Sequence, residues 1–249
     1  MPRFFVSKAA VIEDDGQTKI TIVGEDALHI TRSLRMRPGE KLTLCDDTGI
    51  EYTTEIYDIP DAENVVVRVL SSVKSCNEPP YRCTVYQALV KGDRFDIVLQ
   101  KSTELGAAAI VPVITSRCMV KIDSGDVKRK TERWQKIAAE AAKQCGRAVI
   151  PTVCEPMMFK AAAAEASKTD LPLFCYEGDG TSPISKYLDN TLKPETAAIM
   201  IGPEGGYAPE EAELAAKNGM LMTGLGKRIL RTETASLYVL SCLSLKYEL

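Results

Sequence analysis

Ile201-Gly202-Pro203-Glu204-Gly205-Gly206 decides how this chain is read. It ends the apolar run Thr196 to Ile201 and precedes a stretch opening with Pro209, Glu210 and Glu211 and closed by Gly219. An apolar strand, a glycine-rich turn and a helix with proline and acids in its first turn make one strand–loop–helix unit of an α/β sheet. Glycines let a ligand approach backbone N–H and C=O groups, and ligands bind beyond the carboxyl ends of parallel strands. A small-molecule site is therefore expected here, although a plain strand-to-helix turn would use the same residues. Neither a G-x-x-x-x-G-K-[ST] nor a G-x-G-x-x-G spacing is present, and Glu204 would repel phosphate. A neutral or cationic ligand suits the loop better, and a sulfonium cofactor beside a carboxylate meets that requirement.

Working outward, strands and helices alternate from Tyr81 onward. Cys83 to Leu89, Ala109 to Ile114, Leu171 to Tyr176, Thr196 to Ile201 and a short run near Leu221-Met222 read as strands. Between them, Asp93 to Leu105 reads as a helix capped by Asp93 and closed by Gly106. Thr131 to Cys145 carries an apolar stripe of Trp134, Ile137, Ala138, Ala141, Ala142 and Cys145, and a last helix starts near Thr234. This alternation predicts a mostly parallel sheet covered on both faces.

Upstream the pattern changes. Lys19 to Val23, Glu40 to Leu44, Tyr52 to Tyr57 and Val65 to Leu70 are short runs of β character. They are separated by Asp14-Asp15-Gly16, Arg37-Pro38-Gly39, Asp46-Asp47-Thr48-Gly49 and Asp58-Ile59-Pro60-Asp61, all suited to turns. Short, regularly spaced strands predict a small β-barrel, interrupted by one helical segment, Asp26 to Met36, that carries an arginine cluster. Around Ser71 to Pro80 both periodicities fail, which puts a boundary between domains 1–72 and 73–249.

Bulk properties set limits. The chain has 249 residues, 45% of them hydrophobic and 26% charged, which is the composition of a soluble globular protein of two domains. Charged residues soon after Met1 leave no room for a signal peptide, and no run of about 18 apolar residues is present to span a membrane. A cytoplasmic location with no membrane partner is expected. Eight cysteines occur without C-x-x-C spacing and with a single histidine, His29, so no metal site is expected and reduced, core-filling thiols are. The net charge of −3 excludes binding to nucleic acid by bulk charge. Residues 1–72 hold eight Lys/Arg against thirteen Asp/Glu, so RNA contact there requires an oriented patch. Basic residues do cluster at Arg32, Arg35 and Arg37, and again at Lys128-Arg129-Lys130 with Arg133 and Lys136.

A second unusual segment is Leu225-Gly226-Lys227-Arg228-Ile229-Leu230-Arg231-Thr232-Glu233-Thr234-Ala235, which sets arginines, threonines and a glutamate around aliphatic residues just before the last helix. Helix capping explains part of it. Together with Ile201 to Gly206 it resembles the two C-terminal motifs of the SPOUT methyltransferases, and within them the RsmE-type 16S ribosomal RNA uridine-N3 methyltransferases. Lys91-Gly92, Gln100 to Gly106, Arg133-Trp134, Glu140 to Arg147, Pro151, and His29 with Leu34-Arg35 extend the resemblance over nearly the whole chain. One departure is Ala208, where the family more often has a hydroxyl N-cap.

The resemblance implies an α/β, trefoil-knotted SPOUT domain with a mostly parallel sheet, preceded by a PUA-like barrel that helps hold RNA. It implies S-adenosylmethionine as cofactor, 16S ribosomal RNA or the small subunit as partner, and a homodimer. Cofactor contacts are expected from Ile201, Gly202, Leu225 and Leu230 through their backbones, with Gly205 and Gly206 giving close approach. Tyr176, Glu177, Pro203, Glu204, Gly226, Ile229, Thr232, Thr234 and Ala235 complete that set. Residue type and position make Arg231 the candidate for stabilising negative charge on the base, Glu233 for a base or orienting carboxylate, and Arg228 for a phosphate contact. Arg3, His29, Arg32, Arg35, Arg37, Lys91 and Arg94 are the candidate RNA contacts. A SPOUT enzyme for another RNA nucleoside, and a non-catalytic RNA-binding or assembly protein, are the alternatives; the intact Gly202, Glu204, Gly205, Gly206 and Arg231 speak against the second.

Overall fold

The computed structural model describes residues 1–249 except 8–10, 15–16 and 47, and the side chains of 11–14 and 17. The expected turn residues Asp15, Gly16 and Asp47 thus lie outside the described residues. The chain divides into two compact units, Met1–Glu78 with Ala142–Ile150, and Pro79–Ala141 with Pro151–Leu249.

The first unit holds β1 (Arg3–Val6), β2 (Val11–Asp14), β3 (Gln17–Val23), a short α1 (Glu25–Leu28), β4 (Lys41–Asp46), β5 (Ile50–Asp61) and β6 (Asn64–Lys74). They form one six-stranded sheet, β1-β4-β5-β6-β3-β2, antiparallel except for the parallel pair β1 and β4. Alternation places Ile20 and Ile22, Leu42 and Leu44, and Val65 and Val67 in one core with Phe4, Ala27, Ile30 and Ile56. Three local expectations are corrected. Asp58 to Asp61 is not a turn: β5 runs through it with register shifts after Ile56 and Asp58. Bulges of this kind accept turn-forming residues inside a strand. The reversal comes at Ala62 and Glu63, where the Asp61 carboxylate accepts the Glu63 N–H at 2.8 Å. β6 likewise continues through Ser71 and Ser72 to Lys74, paired with the start of β5. The helix expected to Met36 is instead α1 followed by a π-helical turn, His29–Ser33, because the backbone goes left-handed at Arg35 (φ 52°).

The second unit alternates as predicted. Its elements are β7 (Arg82–Ala88), α2 (Arg94–Glu104), β8 (Ala109–Ile114), α3 (Val127–Cys145), β9 (Thr152–Val153), β10 (Met157–Met158) and α4 (Phe159–Ala166), then β11 (Leu171–Cys175), β12 (Ser182–Pro183), α5 (Ile184–Asn190), β13 (Thr196–Ile201), α6 (Pro209–Lys217), β14 (Leu221–Gly224) and α7 (Thr232–Tyr247). The sheet order is β10-β8-β7-β13-β11-β14-β12, with β9 beside β8, and every described pair is parallel. Buried on both sides, its strands feed two cores. Val85, Ile110, Leu173 and Ile199 face one, with Leu99 of α2, Trp134 of α3 and Val239 and Leu243 of α7. Tyr86, Val111, Phe174 and Met200 face the other, with Phe159 and Ala162 of α4 and Ala212 and Ala215 of α6.

Helix ends follow local chemistry with two exceptions. Gly106, at φ 86°, closes α2. Asp93 occupies the N-cap position of α2, but its side chain makes no capping bond. At α6, Ala208 offers no hydroxyl, yet the Glu211 carboxylate accepts the Ala208 N–H at 3.0 Å, the returning half of a capping box. α7 begins at Thr232, two residues earlier than expected, with Arg231 at its N-cap.

β14 follows β11 and β12 in sequence yet lies between them in the sheet. The loop 176–181 that leaves β11 and the segment 225–231 that leaves β14 are thereby brought to the same edge.

Candidate functional site

The carboxyl ends of β11, β13 and β14 open into a cleft of about 490 Å³, within the size range of small-molecule sites. Tyr176 and Glu177 enter it from the end of β11. Ile201, Gly202, Pro203, Glu204 and Gly206 enter from β13, and the segment Gly224 to Arg231 from β14. Thr232, Glu233 and Ala235 reach it from the first turn of α7, and Arg94 from α2.

The two glycines of the loop that line the cleft are held by different means. A Cβ on Gly202 would sit 3.2 Å from the ring of Tyr207, which is itself buried and packed 4.4 Å, centroid to centroid, from Phe174. Gly206 adopts φ 66°, and a Cβ there would collide with the Glu177 carboxylate. Burial pushes the Tyr207 hydroxyl well above its ordinary pKa, so it is a neutral structural group. Cys175 lines the cleft, and burial likewise raises its thiol, which disfavours the thiolate.

Three carboxylates, Glu177, Glu204 and Glu233, and four cations, Arg94, Lys227, Arg228 and Arg231, surround the cleft. Glu204 is the paired one: its Oε1 accepts from Arg94 Nη1 at 3.0 Å and from the Lys91 backbone N–H at 3.3 Å. Among the described residues Arg228 and Arg231 have no ion-pair partner, and Oε2 of Glu233 is buried with no hydrogen-bond donor. Behind the cleft, Gln87 of β7, fully buried, donates Nε2 to Thr232 Oγ1 at 2.8 Å, and Thr232 Oγ1 donates to the Gly202 carbonyl at 2.6 Å.

The structure thus brings together nearly all of the expected cofactor and catalytic residues. Gly205 and Thr234 stand apart. The Gly205 carbonyl accepts from Arg117 Nη1 at 2.9 Å, and Thr234 is exposed on α7. Thr232 lines the cleft, but its hydroxyl is turned to Gly202. Of the expected RNA contacts, Arg94 borders the cleft, whereas Arg3 is engaged within the first unit by Glu51 at 3.0 Å and Cys45 Sγ at 2.8 Å. Arg32, Arg35, Arg37 and His29 are exposed, and the His29 ring makes an edge contact with Phe4. Thr181 and Gly224 also line the cleft without having been signalled by a motif, as does Lys227, which lies within the segment Leu225 to Ala235 but was given no role.

Two family models match these two units. One, described as an RNA methyltransferase PUA domain, covers residues 22–70, and the other, an RNA methyltransferase domain, covers residues 77–244. Along its full length the chain is 34% identical to the ribosomal RNA small subunit methyltransferase E of Bacillus subtilis, covering 98% of that protein. It superposes on the solved methyltransferase E of Neisseria gonorrhoeae, bound to S-adenosylmethionine, with a TM-score of 0.82 and 30% identity over 98% of this chain and 97% of that one. A Legionella pneumophila chain solved with bound S-adenosylmethionine gives a TM-score of 0.85 at 35% identity, over 98% and 96%. The chain therefore belongs to the ribosomal RNA small subunit methyltransferase E family.

Among the described residues no helix is long and apolar enough to cross a membrane.

Proposed function

We propose that this protein transfers a methyl group from S-adenosylmethionine to N3 of one uridine of 16S ribosomal RNA, as a cytoplasmic homodimer. The observation that carries the reading is that Glu233 and the unpaired Arg231 line one cleft together with a glycine loop.

The residues fit such a cofactor. The missing side chain of Gly206 lets the Glu177 carboxylate stand in the cleft wall, and Gly202 exposes backbone where Tyr207 backs it. Glu177 and Glu204 give the cleft carboxylates suited to a cationic ligand. Ile201, Leu225 and Leu230 supply its apolar wall. When bound, the cofactor supplies an electrophilic methyl group on a sulfonium sulfur.

Uracil N3 carries an imide proton at neutral pH, so its alkylation needs a proton acceptor and stabilisation of charge on O2 or O4. The Glu233 carboxylate takes the N3 proton or orients the imide. Arg231 places its guanidinium on the developing oxyanion, and Arg228 holds a neighbouring phosphate. Residues 73–249 are the catalytic domain in this reading, with the C-terminal knot that the family resemblance implies. Residues 1–72 hold RNA through Arg32, Arg35 and Arg37 as an oriented patch, and in the catalytic domain Lys91 and Arg94 contact RNA beside the cleft. Exposed Ile97 on α2 and Tyr238 and Leu245 on α7 offer an apolar face for the second copy.

The test is transfer of labelled methyl from S-adenosylmethionine to purified small ribosomal subunits, with large subunits and transfer RNA as controls. Label confined to the small-subunit RNA supports the reading; label on transfer RNA or on neither ribosomal subunit contradicts it.

A further inference from the structure

Gln87 is the one amide in β7 and lies between the buried Tyr86 and Ala88, and its position is specific. It sits in β7 directly opposite Ile201, the last strand residue before the glycine loop, and is completely buried. Its Nε2 has two neighbours, the Ala88 carbonyl at 3.2 Å and Thr232 Oγ1 at 2.8 Å. A carbonyl only accepts, so the Ala88 oxygen fixes the amide with its nitrogen on this side. Thr232 Oγ1 must then accept from Gln87, which leaves its one proton for the Gly202 carbonyl at 2.6 Å. The direction of every bond in the chain Gln87, Thr232, Gly202 follows from that one carbonyl. The arrangement leaves Gln87 Oε1 buried with no donor, a cost that a purely apolar strand residue would not carry.

We propose that Gln87 is a positioning residue for the cofactor cleft, acting through the Thr232 hydroxyl to hold the Gly202 carbonyl and to lock the start of α7 onto the cofactor loop. This rests on the reading of the cleft as the S-adenosylmethionine site. Three segments distant in sequence are joined by it: the end of β7, the loop after β13, and the first residue of α7, which follows Arg231 directly. Gln87 touches neither cofactor nor base; its effect passes through Thr232.

Calorimetric titration of the full chain with S-adenosylmethionine tests it, with thermal melts to check folding. Gln87→Met and Thr232→Val should each raise Kd on the order of tenfold, as expected for one lost buried hydrogen bond. Thr232→Ser, which keeps the hydroxyl, should recover most of the affinity lost in Thr232→Val. The decisive reading is the double variant: Gln87→Met added to Thr232→Val should weaken binding no further, because both changes break one chain. Losses that multiply in the double variant, or wild-type affinity in Gln87→Met, would overturn the proposal. If Gln87→Met does not fold, Gln87→Asn replaces it, keeping an amide in the core but one methylene short of Thr232. No heat of binding with the wild-type chain would instead remove the cofactor reading beneath it.

Discussion

Glu177 and Gly206 stand against one another in the cleft wall, so closely that a Cβ added to Gly206 would overlap the Glu177 carboxylate. Gly206 also holds a left-handed backbone, at φ 66°. Gly206→Ala should therefore cost on the order of 1–2 kcal/mol of folding stability from backbone strain, read as a lower midpoint in urea. It should also weaken S-adenosylmethionine binding by about tenfold or more as Glu177 is displaced. Unchanged stability and affinity would mean that the loop relaxes freely.

Arg231 is exposed and unpaired among the described residues, at the N-cap of α7. Its proposed role begins only as charge develops on the base. Arg231→Ala should lower kcat by about 10²-fold or more, the scale of losing one oxyanion donor, while the cofactor Kd moves little. Single-turnover methylation and calorimetry together separate the two, and a variant with wild-type turnover would remove Arg231 from the mechanism.

Glu233→Gln keeps the shape of the side chain and removes its capacity to accept a proton. If Glu233 is the base, turnover should fall by about 10²-fold, within the range for general bases, with the fold and cofactor affinity retained. If it only orients the imide, the amide should keep most of the activity, since its oxygen still accepts a hydrogen bond.

Much of the fold was legible because its evidence is local. β8 is an unbroken apolar stretch and β13 is one after Thr196, as strands covered on both faces must be. What misled was turn chemistry inside strands: Asp58 to Asp61 lies in β5 because bulges absorb it, and Ser71 to Lys74 extends β6 through its pairing with distant β5. The last part of α3 belongs with the first unit while its apolar stripe reads as continuous helix, a division that periodicity cannot register. In the site, the glycine loop announced itself, and so did the segment before α7. Thr181 and Gly224 did not, because they meet only once β14 is inserted between β11 and β12. Arg94 and Glu204 are 110 positions apart, and no spacing links them. Gln87 carried no signal of its own within β7, because its partner Thr232 lies 145 positions away in α7.

Asp46 gives the first unit a pH-dependent element. Burial works to raise its carboxyl, but hydrogen bonds from the Ile50 N–H, from the hydroxyl and N–H of Thr48, and from the Tyr52 hydroxyl outweigh it and hold the group below the usual carboxylate range. A group with a lowered folded pKa stabilises above its unfolded pKa, and that stability is lost as pH falls through the folded value. Asp46→Asn should lower stability by about 1–2 kcal/mol at pH 7. The gap to wild type should shrink below about pH 4, the unfolded aspartate range. Chemical denaturation at pH 7, 5 and 3 reads this directly, and a pH-independent gap would contradict it.

Thiol labelling checks the cysteines. All eight are free, with Cys76 exposed and Cys45, Cys83 and Cys175 buried. Burial pushes the Cys45 thiol up to about 11 and raises those of Cys83 and Cys175 as well. A thiol reagent at pH 8 should modify Cys76 rapidly and the three buried thiols only with unfolding. Rapid loss of all eight in the native state would contradict the packing described.

The central claim is the atom that receives the methyl group. The chain, S-adenosylmethionine and small ribosomal subunits lacking the modification should be incubated together, and the RNA then digested and mapped by mass spectrometry. The account predicts one 3-methyluridine in 16S ribosomal RNA, formed only when both protein and cofactor are present. Methyl on any other atom or nucleoside would contradict it.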